Sequence, residues 1–464
     1  MPDPTAGSFA FDHTVAFDPA EAEAALALIP ARPGVFGLYP HAENAEPYLT
    51  RCANLQRRIR RMLQPPQGAT KRSGVLNLRE KADRIAYTVT GSELESLLTL
   101  YHATAAHLGR DAARRRMRLH TPFFVRFAME NAYPRAYVTN RLSRRAQDYL
   151  FGPYPSRLAA DRALNEVLNL FKLRRCVEEL APDPSHPGCV YSEMKMCLAP
   201  CFKGCSDERY AEEARAVFEF FRTQGGSMLT KLAIERDVAS AAMEFEQAAA
   251  LHAQIVKVKA AAQCSDEIVR PLSRLDAVIV LPAASALPAA GAKSTACDEV
   301  ALFAVRHGCI GHLTLFSTLG MRHANEDSGS TSLFAQPHML AAVPLDEKGE
   351  PALAAPIETT EERLKRTLAK LMAPLELMPP EIAEDQIAGL SDTLSLLRRW
   401  YYRPVKQRVG EIFFADAATA DAGLPARRIL RGISRVCMNA GPAAPPDKIT
   451  PDSPPVAEKD ILVD

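Results

Sequence analysis

Five of the ten cysteines in this sequence fall within thirty positions: Cys176, Cys189, Cys197, Cys201 and Cys205. The spacing is Cys176-x12-Cys189-x7-Cys197-x3-Cys201, with Cys205 a further x3 beyond. Thiolates are soft ligands, so four of them in one short segment select zinc or an iron–sulfur cluster. Zinc ribbons usually present two tight pairs. Here one close pair follows two single cysteines, a spacing that suits a cubane wrapped by loops. Pro187, Gly188 and Pro200 fit such a wrap, because Pro and Gly hold irregular backbone. In a reducing compartment clustered cysteines point to metal rather than disulfides; the bland alternative is a set of buried free thiols.

Arginines form the second constellation. They run together at Arg57, Arg58, Arg60 and Arg61, then at Arg114, Arg115, Arg116 and Arg118, then at Arg144 and Arg145. Net charge is only +1, so the chain as a whole does not announce a polyanionic partner. Acidic residues gather later, around 358–362 and in the final tail. A neutral total can hide a basic N-terminal half, and local charge is what a phosphate backbone feels. The alternative is a series of solvated faces. A third pattern is the stripe Met243, Phe245, Ala248, Ala249, Leu251 and Ile255, on a helical segment too small to bury it alone. It asks either for a partner helix pair or for an ordinary intramolecular neighbour.

The elements that must position these residues are legible in outline. Hydrophobic residues make up 47% and charged residues 24%, the balance of soluble globular protein. At 464 residues the chain is too long for one core. No apolar run approaches the roughly 20 residues of a membrane span, and the N-terminus has no basic-then-apolar signal pattern. The expectation is a cytoplasmic protein without a membrane partner. Residues 1–18 read as loose and 19–29 as a helix. A hairpin follows over 34–39 and 48, then a helix over 54–63 with Asn54 as cap, a strand over 85–90 and a helix from Ser92 to about 106. Strands are expected at 123–128 and 136–139 and an amphipathic helix at 157–170. Residues 206–262 read as helical with one break at Gly225-Gly226. Short apolar runs at 277–281, 300–305 and 312–316 predict a small sheet, and 359–372 and 385–400 two more helices. The strip Leu396–Arg403 is aromatic and basic; it either stacks on nucleic acid or packs locally around Trp400. Residues 439–464 are expected to be disordered.

Four segments together carry a resemblance. Tyr149-Leu-Phe-Gly-Pro-Tyr-Pro-Ser156, Leu170-Phe-Lys-Leu-Arg-Arg-Cys176, Pro187-Gly-Cys-Val-Tyr191 and Met196-Cys-Leu-Ala-Pro-Cys201 resemble the UvrC family, the incision component of the UvrABC excinuclease, in order and spacing. The resemblance implies a 4Fe–4S cluster on Cys176, Cys189, Cys197 and Cys201, with Cys205 a bystander. Ala242–Ile255 resembles the UVR motif, a helical hairpin that pairs with the equivalent hairpin of a UvrB-like helicase partner. That implies partner binding by Met243, Phe245, Ala248, Leu251 and Ile255.

Upstream, Pro33-Gly-Val-Phe-Gly-Leu-Tyr39 and Tyr48-Leu-Thr-Arg-Cys-Ala-Asn-Leu-Gln-Arg-Arg-Ile59 resemble the GIY-YIG nuclease domain. Phosphodiester hydrolysis needs an activated water, a polarising metal and cationic stabilisation of the developing charge. By the resemblance, Tyr48 matches the second catalytic tyrosine, Arg58 the catalytic arginine, and Arg51 stands in place of a lysine. Arg57, Arg60 and Arg61 would neutralise DNA phosphates. Phe36 replaces the first tyrosine, Thr50 a glycine, and Leu100 the glutamate that would hold magnesium or manganese; the usual Tyr-Asn is missing from 108–118. Loss of the only metal carboxylate should cost many orders of magnitude in rate, and Glu93 and Glu95 lie on the wrong part of the helix to substitute simply.

The expected fold class is multidomain α+β. Its parts are a leader (1–28), a degenerate GIY-YIG-like α/β domain (29–108) and a region of strands, helix and Cys-rich cluster (109–205). A helical region with the UVR motif (206–265), a small α/β region (275–438) and the tail complete it. The segment 275–345 resembles the approach to the family's RNase H-like nuclease, whose catalytic motif is not found, nor is a helix-hairpin-helix pair. The function implied is that of a DNA-repair protein of nucleotide excision and the SOS response, which binds DNA and a UvrB-like partner and contributes to incision. The alternatives are a catalytically inactive DNA-binding adaptor of the same descent, or an iron–sulfur redox or DNA sensor.

Overall fold

The computed structural model describes residues 9–41, 45–64, 78–177, 179–286, 299–318, 360–376, 384–415 and 423–438. The expected disordered tail and residues 319–345 of the C-terminal region lie outside them. Contacts divide the chain into two units, one of Phe11–Thr90 and one built mainly of Gly91–Ala286 and Ala296–Asn439.

The smaller unit runs β1 (His13–Ala16), α1 (Ala22–Ala27), β2 (Gly34–Pro40), β3 (Tyr48–Cys52), α2 (Leu55–Leu63) and β4 (Ala82–Val89). Its sheet has the order β1-β4-β2-β3, antiparallel throughout. Residues 13–16, expected to be loose, form β1 and pair with β4 from His13↔Tyr87 to Ala16↔Arg84. In α2 the Asn54 side chain accepts the Arg57 amide at 2.8 Å, and Leu55, Ile59, Met62 and Leu63 fall on one buried face. They pack with Phe36 and Leu38 of β2. Gly34 has no room for a side chain: a Cβ there would collide with the Thr88 carbonyl oxygen and with Leu55.

The larger unit begins with α3 (Glu93–Leu108) and α4 (Arg110–Met117), followed by β5 (Phe123–Phe127), β6 (Ala136–Thr139), β7 (Leu150–Tyr154) and α5 (Arg157–Leu168). Then come the single turn α6 (Val190–Glu193), α7 (Asp207–Arg222), α8 (Gly226–Ala241) and α9 (Phe245–Ala262). The short β8 (Arg270–Pro271) completes an antiparallel sheet of order β6-β5-β7-β8. A third antiparallel sheet, β11-β10-β9-β12, is made by β9 (Ala277–Pro282), β10 (Glu299–Arg306), β11 (Cys309–Ser317) and β12 (Glu411–Phe414). With it pack α10 (Thr360–Glu376), α11 (Glu384–Tyr401) and α12 (Ala426–Met438). The described residues are thus mixed α and β in more than one unit, in keeping with the multidomain α+β class expected. No described helix is long and apolar enough to cross a membrane.

Why β9 reads as an unbroken apolar run is clear from its two sides. Ala277, Ile279 and Leu281 join the main core with α11 residues Leu390, Leu394 and Trp400. Val278 and Val280 face the opposite way, against Leu364 and Leu368 of α10 and Ile429 and Ile433 of α12. A strand covered on both faces needs no polar alternation. The strip Leu396–Arg403 packs locally. Trp400 is buried and its indole N–H donates to the Val409 carbonyl, Arg399 donates to the Met117 and Arg118 carbonyls, and Arg403 pairs with Glu93.

Burial in this unit, reinforced by the charge of His312, holds the His102 imidazole down to about 4. Because the folded value lies below the ordinary one, the stability this group contributes is complete above about 6.5 and is lost as pH falls toward 4, by up to about 3 kcal/mol. His102→Gln should flatten the melting-temperature profile of the protein between pH 6.5 and 4. An unchanged slope would contradict the assignment.

Candidate functional site

The four cysteines lie on a loop between α5 and α7 that is tied down at named points. Lys172 is gripped at both ends of its peptide: its N–H donates to the buried Glu213 carboxylate of α7 at 2.6 Å, and its carbonyl accepts from Leu198 at 3.0 Å. Two residues on, the Arg174 amide donates to the Tyr210 hydroxyl at 3.3 Å, which in turn donates to the Pro134 carbonyl at 2.8 Å. The Arg174 side chain is buried; its Nε–H donates to the Tyr133 carbonyl at 3.0 Å and its Nη1 stands 3.7 Å from Cys176 Sγ. The Asp183 amide closes the far side onto the Cys201 carbonyl at 2.8 Å.

The backbone between these anchors is irregular in a concentrated way. Gly188, Lys195, Ala199 and Lys203 all have positive φ, at 84°, 57°, 57° and 56°. Left-handed backbone is uncommon for residues with a Cβ and collects where a loop is forced around a ligand or clamp. Cys189 begins α6, its amide donating to Ser192 Oγ at 2.9 Å.

The thiols feel one another. Burial pushes Cys197 up to about 11; the Ala199 amide, 3.3 Å from its sulfur, pulls it back, and charge on Cys176, Cys189 and Cys201 pushes it further up. Cys201 is raised by burial and then by Cys189 and Cys176. Cys205 is raised first by burial and then by the charge of Asp207, while Arg209 lowers it. Among the described residues no group of three or more His, Cys, Asp or Glu side chains closes around a single metal ion.

In the smaller unit, Phe36 is fully buried and its ring centroid lies 6.4 Å from that of the half-buried Tyr48. The register Leu38↔Tyr48 and Val35↔Arg51, with strand alternation, sends Tyr48 and Arg51 to opposite faces of the sheet. Arg57, Arg58 and Arg61 are exposed on α2, and the charge of Arg58 is felt by Cys52. Arg60, expected to face phosphate, instead pairs with Glu23 at 2.9 Å, because its place on α2 turns it toward the segment of α1. Leu100 belongs to the larger unit, packed against its core. Neither nearby acid is idle: Glu93 pairs with Arg403 and the buried Glu95 accepts the Gly91 amide at 2.8 Å.

The stripe on the α8–α9 hairpin divides. Met243 and Phe245 are exposed at 76% and 68% at its turn, where Met243 takes φ 60° and breaks the helix a second time. Ala248 is half-buried. Leu251 packs against the core and Ile255 is buried within it. Ile255 is therefore not a partner-facing residue; α9 turns that position toward the rest of its own unit. Exposed Ile234 and Val238 of α8 and Val256 of α9 extend the apolar surface instead. The i, i+4 spacing of Ile234 and Val238 was the available signal.

Residues 123–220, from β5 through most of α7 and including all four cysteines, match the model of the UvrC/Cho excinuclease middle domain. In that stretch the chain is similar to UvrC proteins. Over 231 residues it is 29% identical to UvrABC system protein C of Carboxydothermus hydrogenoformans, covering 50% of this chain and 37% of that one. Over 243 residues it is 30% identical to the protein of the same name from Alcanivorax borkumensis, again 50% and 37%. The chain thus matches well under half the length of these relatives. No solved structure matches it.

The matched stretch holds the clamp as well as the thiols, since Tyr133, Arg174, Tyr210 and Glu213 all fall inside it. Within the hairpin beyond it, Ile255→Ala should cost about 2–5 kcal/mol, whereas Phe245→Asp should leave the unfolding free energy within about 0.5 kcal/mol of the parent. Denaturant unfolding of the two variants checks the division; equal losses would place Phe245 in the core.

Proposed function

We propose that this chain acts as a UvrC-like protein in nucleotide excision repair, binding DNA and a UvrB-like helicase at a lesion. The observation that carries the reading is the middle domain with all four cysteines on a loop clamped by α7. On this reading Cys176, Cys189, Cys197 and Cys201 hold a 4Fe–4S cluster. The donor set suits it: four soft sulfurs, mutually close in charge, on a loop with four left-handed residues. A single zinc would ask four ligands to meet about 2.3 Å from one point, whereas a cubane gives each thiolate its own iron. When bound, the cluster would supply positive charge that stabilises the thiolates; Arg174 Nη1 lies 3.7 Å from Cys176 Sγ, and the Ala199 amide favours the charged form of Cys197.

The α8–α9 hairpin is the proposed UVR element. Met243 and Phe245 at its turn, with Ile234, Val238 and Val256, offer the apolar surface a second helix pair would cover. The smaller unit is read as a degenerate GIY-YIG domain that contributes binding rather than cutting. Buried Phe36 brings no hydroxyl, Leu100 brings no carboxylate for magnesium or manganese, and Glu93 and Glu95 are engaged elsewhere. Exposed Arg57, Arg58 and Arg61 still neutralise phosphate.

The test is a damaged duplex incubated with magnesium, the chain, and purified UvrA-like and UvrB-like partners. The chain should enter the complex at the lesion and Phe245→Asp should keep it out, while the chain alone nicks no faster than the metal-only control. Failure to join the UvrB-like helicase would overturn the repair reading. Robust nicking by the chain alone would overturn the adaptor reading.

A further inference from the structure

One charged surface of the larger unit takes no part in the sites above. Five arginines, Arg110, Arg114, Arg115, Arg116 and Arg118, stand within nine residues on α4 and its C-terminal cap, against a single carboxylate, Asp111. Like charges one turn apart on a helix repel and destabilise it, so this density needs a compensating partner. Part of the compensation is internal. Asp392 of α11, 1% exposed, forms an ion pair with Arg114, Nε to Oδ1 at 3.0 Å, and its Oδ2 accepts from the Tyr101 hydroxyl at 2.9 Å; burial raises its pKa while the Tyr101 hydrogen bond and the charges of Arg114 and Arg110 lower it.

Arg115, Arg116 and Arg118 face outward. Arg114, Arg115, Arg118 and His120 line a cavity of about 380 Å³ together with Asp111 and Leu119. Arg115, Arg118 and His120 are exposed, and neither arginine makes an ion pair among the described residues. Arg114 lines the same cavity with its Nε held from behind by Asp392, so its position is set before any ligand arrives. A helix C-terminus ordinarily repels anions. Here Arg399 of α11 donates to the Met117 and Arg118 carbonyls at 3.0 Å and neutralises that end.

We propose that this face of α4 binds the phosphate backbone of a DNA strand through Arg114, Arg115 and Arg118. The proposal rests on the DNA-binding reading above and assigns a contact surface to the larger unit. Arginine forks match phosphate oxygens bidentately. Contacts to phosphate oxygens carry no sequence information, so the contribution of this surface is independent of sequence. Arg114 is the pre-positioned member; Arg115 and Arg118, a turn-length apart, reach the phosphates that flank it.

The experiment uses the full chain and a fluorescein-labelled DNA duplex, with Kd read by anisotropy between about 50 and 200 mM salt. Each phosphate contact contributes a slope of about 0.9 in log Kd against log salt. Arg115→Ala/Arg118→Ala should therefore weaken binding at every salt concentration and flatten the slope by about two. Arg115→Lys/Arg118→Lys should keep most of the slope, and both variants should melt like the parent because the two side chains are exposed. If the parent binds DNA and the alanine variant keeps its slope, this surface is wrong while the DNA-binding reading stands. If the parent does not bind duplex DNA even at the lowest salt, both fall. A slope change seen with an RNA duplex and not with DNA would overturn the choice of DNA.

Discussion

Ionising Cys197 and Cys201 is opposed by burial and by the neighbouring thiols, and the loop that carries them is tied to α7. Burial and mutual repulsion both push Cys197 toward the neutral thiol, with only the Ala199 amide acting the other way. The loop cannot relax by swinging open, because Lys172 is fixed to Glu213 and Leu198, and Arg174 to Tyr133 and Tyr210. Removing Tyr210 would leave the buried Arg174 amide without its partner, a loss of about 1–3 kcal/mol. On the proposed reading a metal centre would resolve the conflict by adding positive charge among the sulfurs, with α7 holding the loop that carries them.

The functional reading separates binding from cutting along residues that can be named. On the proposed reading buried Phe36 offers no hydroxyl for water activation, while Arg57, Arg58 and Arg61 stand exposed to phosphate. In the larger unit Leu100 is partly buried and packs against the core. A hairpin whose turn exposes Met243 and Phe245 fits the same reading, since it presents apolar surface that its own unit does not cover.

Where local signals were strong, the sequence carried the fold. Asn54 and Ser92 cap the helices they were expected to start, and the β2–β3 hairpin and the apolar run of β9 were readable from period and length. What escaped had long-range or backbone causes. Four residues of β1 carry too little pattern to be seen without their partner β4, distant in sequence. The break at Met243 depends on a positive φ in a residue that gives no glycine-like warning. Ile255 and Phe245 read as one stripe because periodicity finds a face without saying what covers it; the fold buries one and exposes the other. Arg60 has a partner in Glu23, a pairing invisible to charge counting. The placing of Arg114 by Asp392 joins residues far apart in the chain and had no sequence signal at all.

The central claim is that the clamped loop exists to hold a polynuclear iron centre, and metal content tests it most directly. Protein purified without oxygen should be brown, with broad visible absorbance and about four irons and four acid-labile sulfides per chain, the content of a cubane. Cys205→Ser should keep that content and Cys197→Ser should lose it. One zinc per chain with no iron, or four free thiols with no metal under anaerobic conditions, would contradict the account.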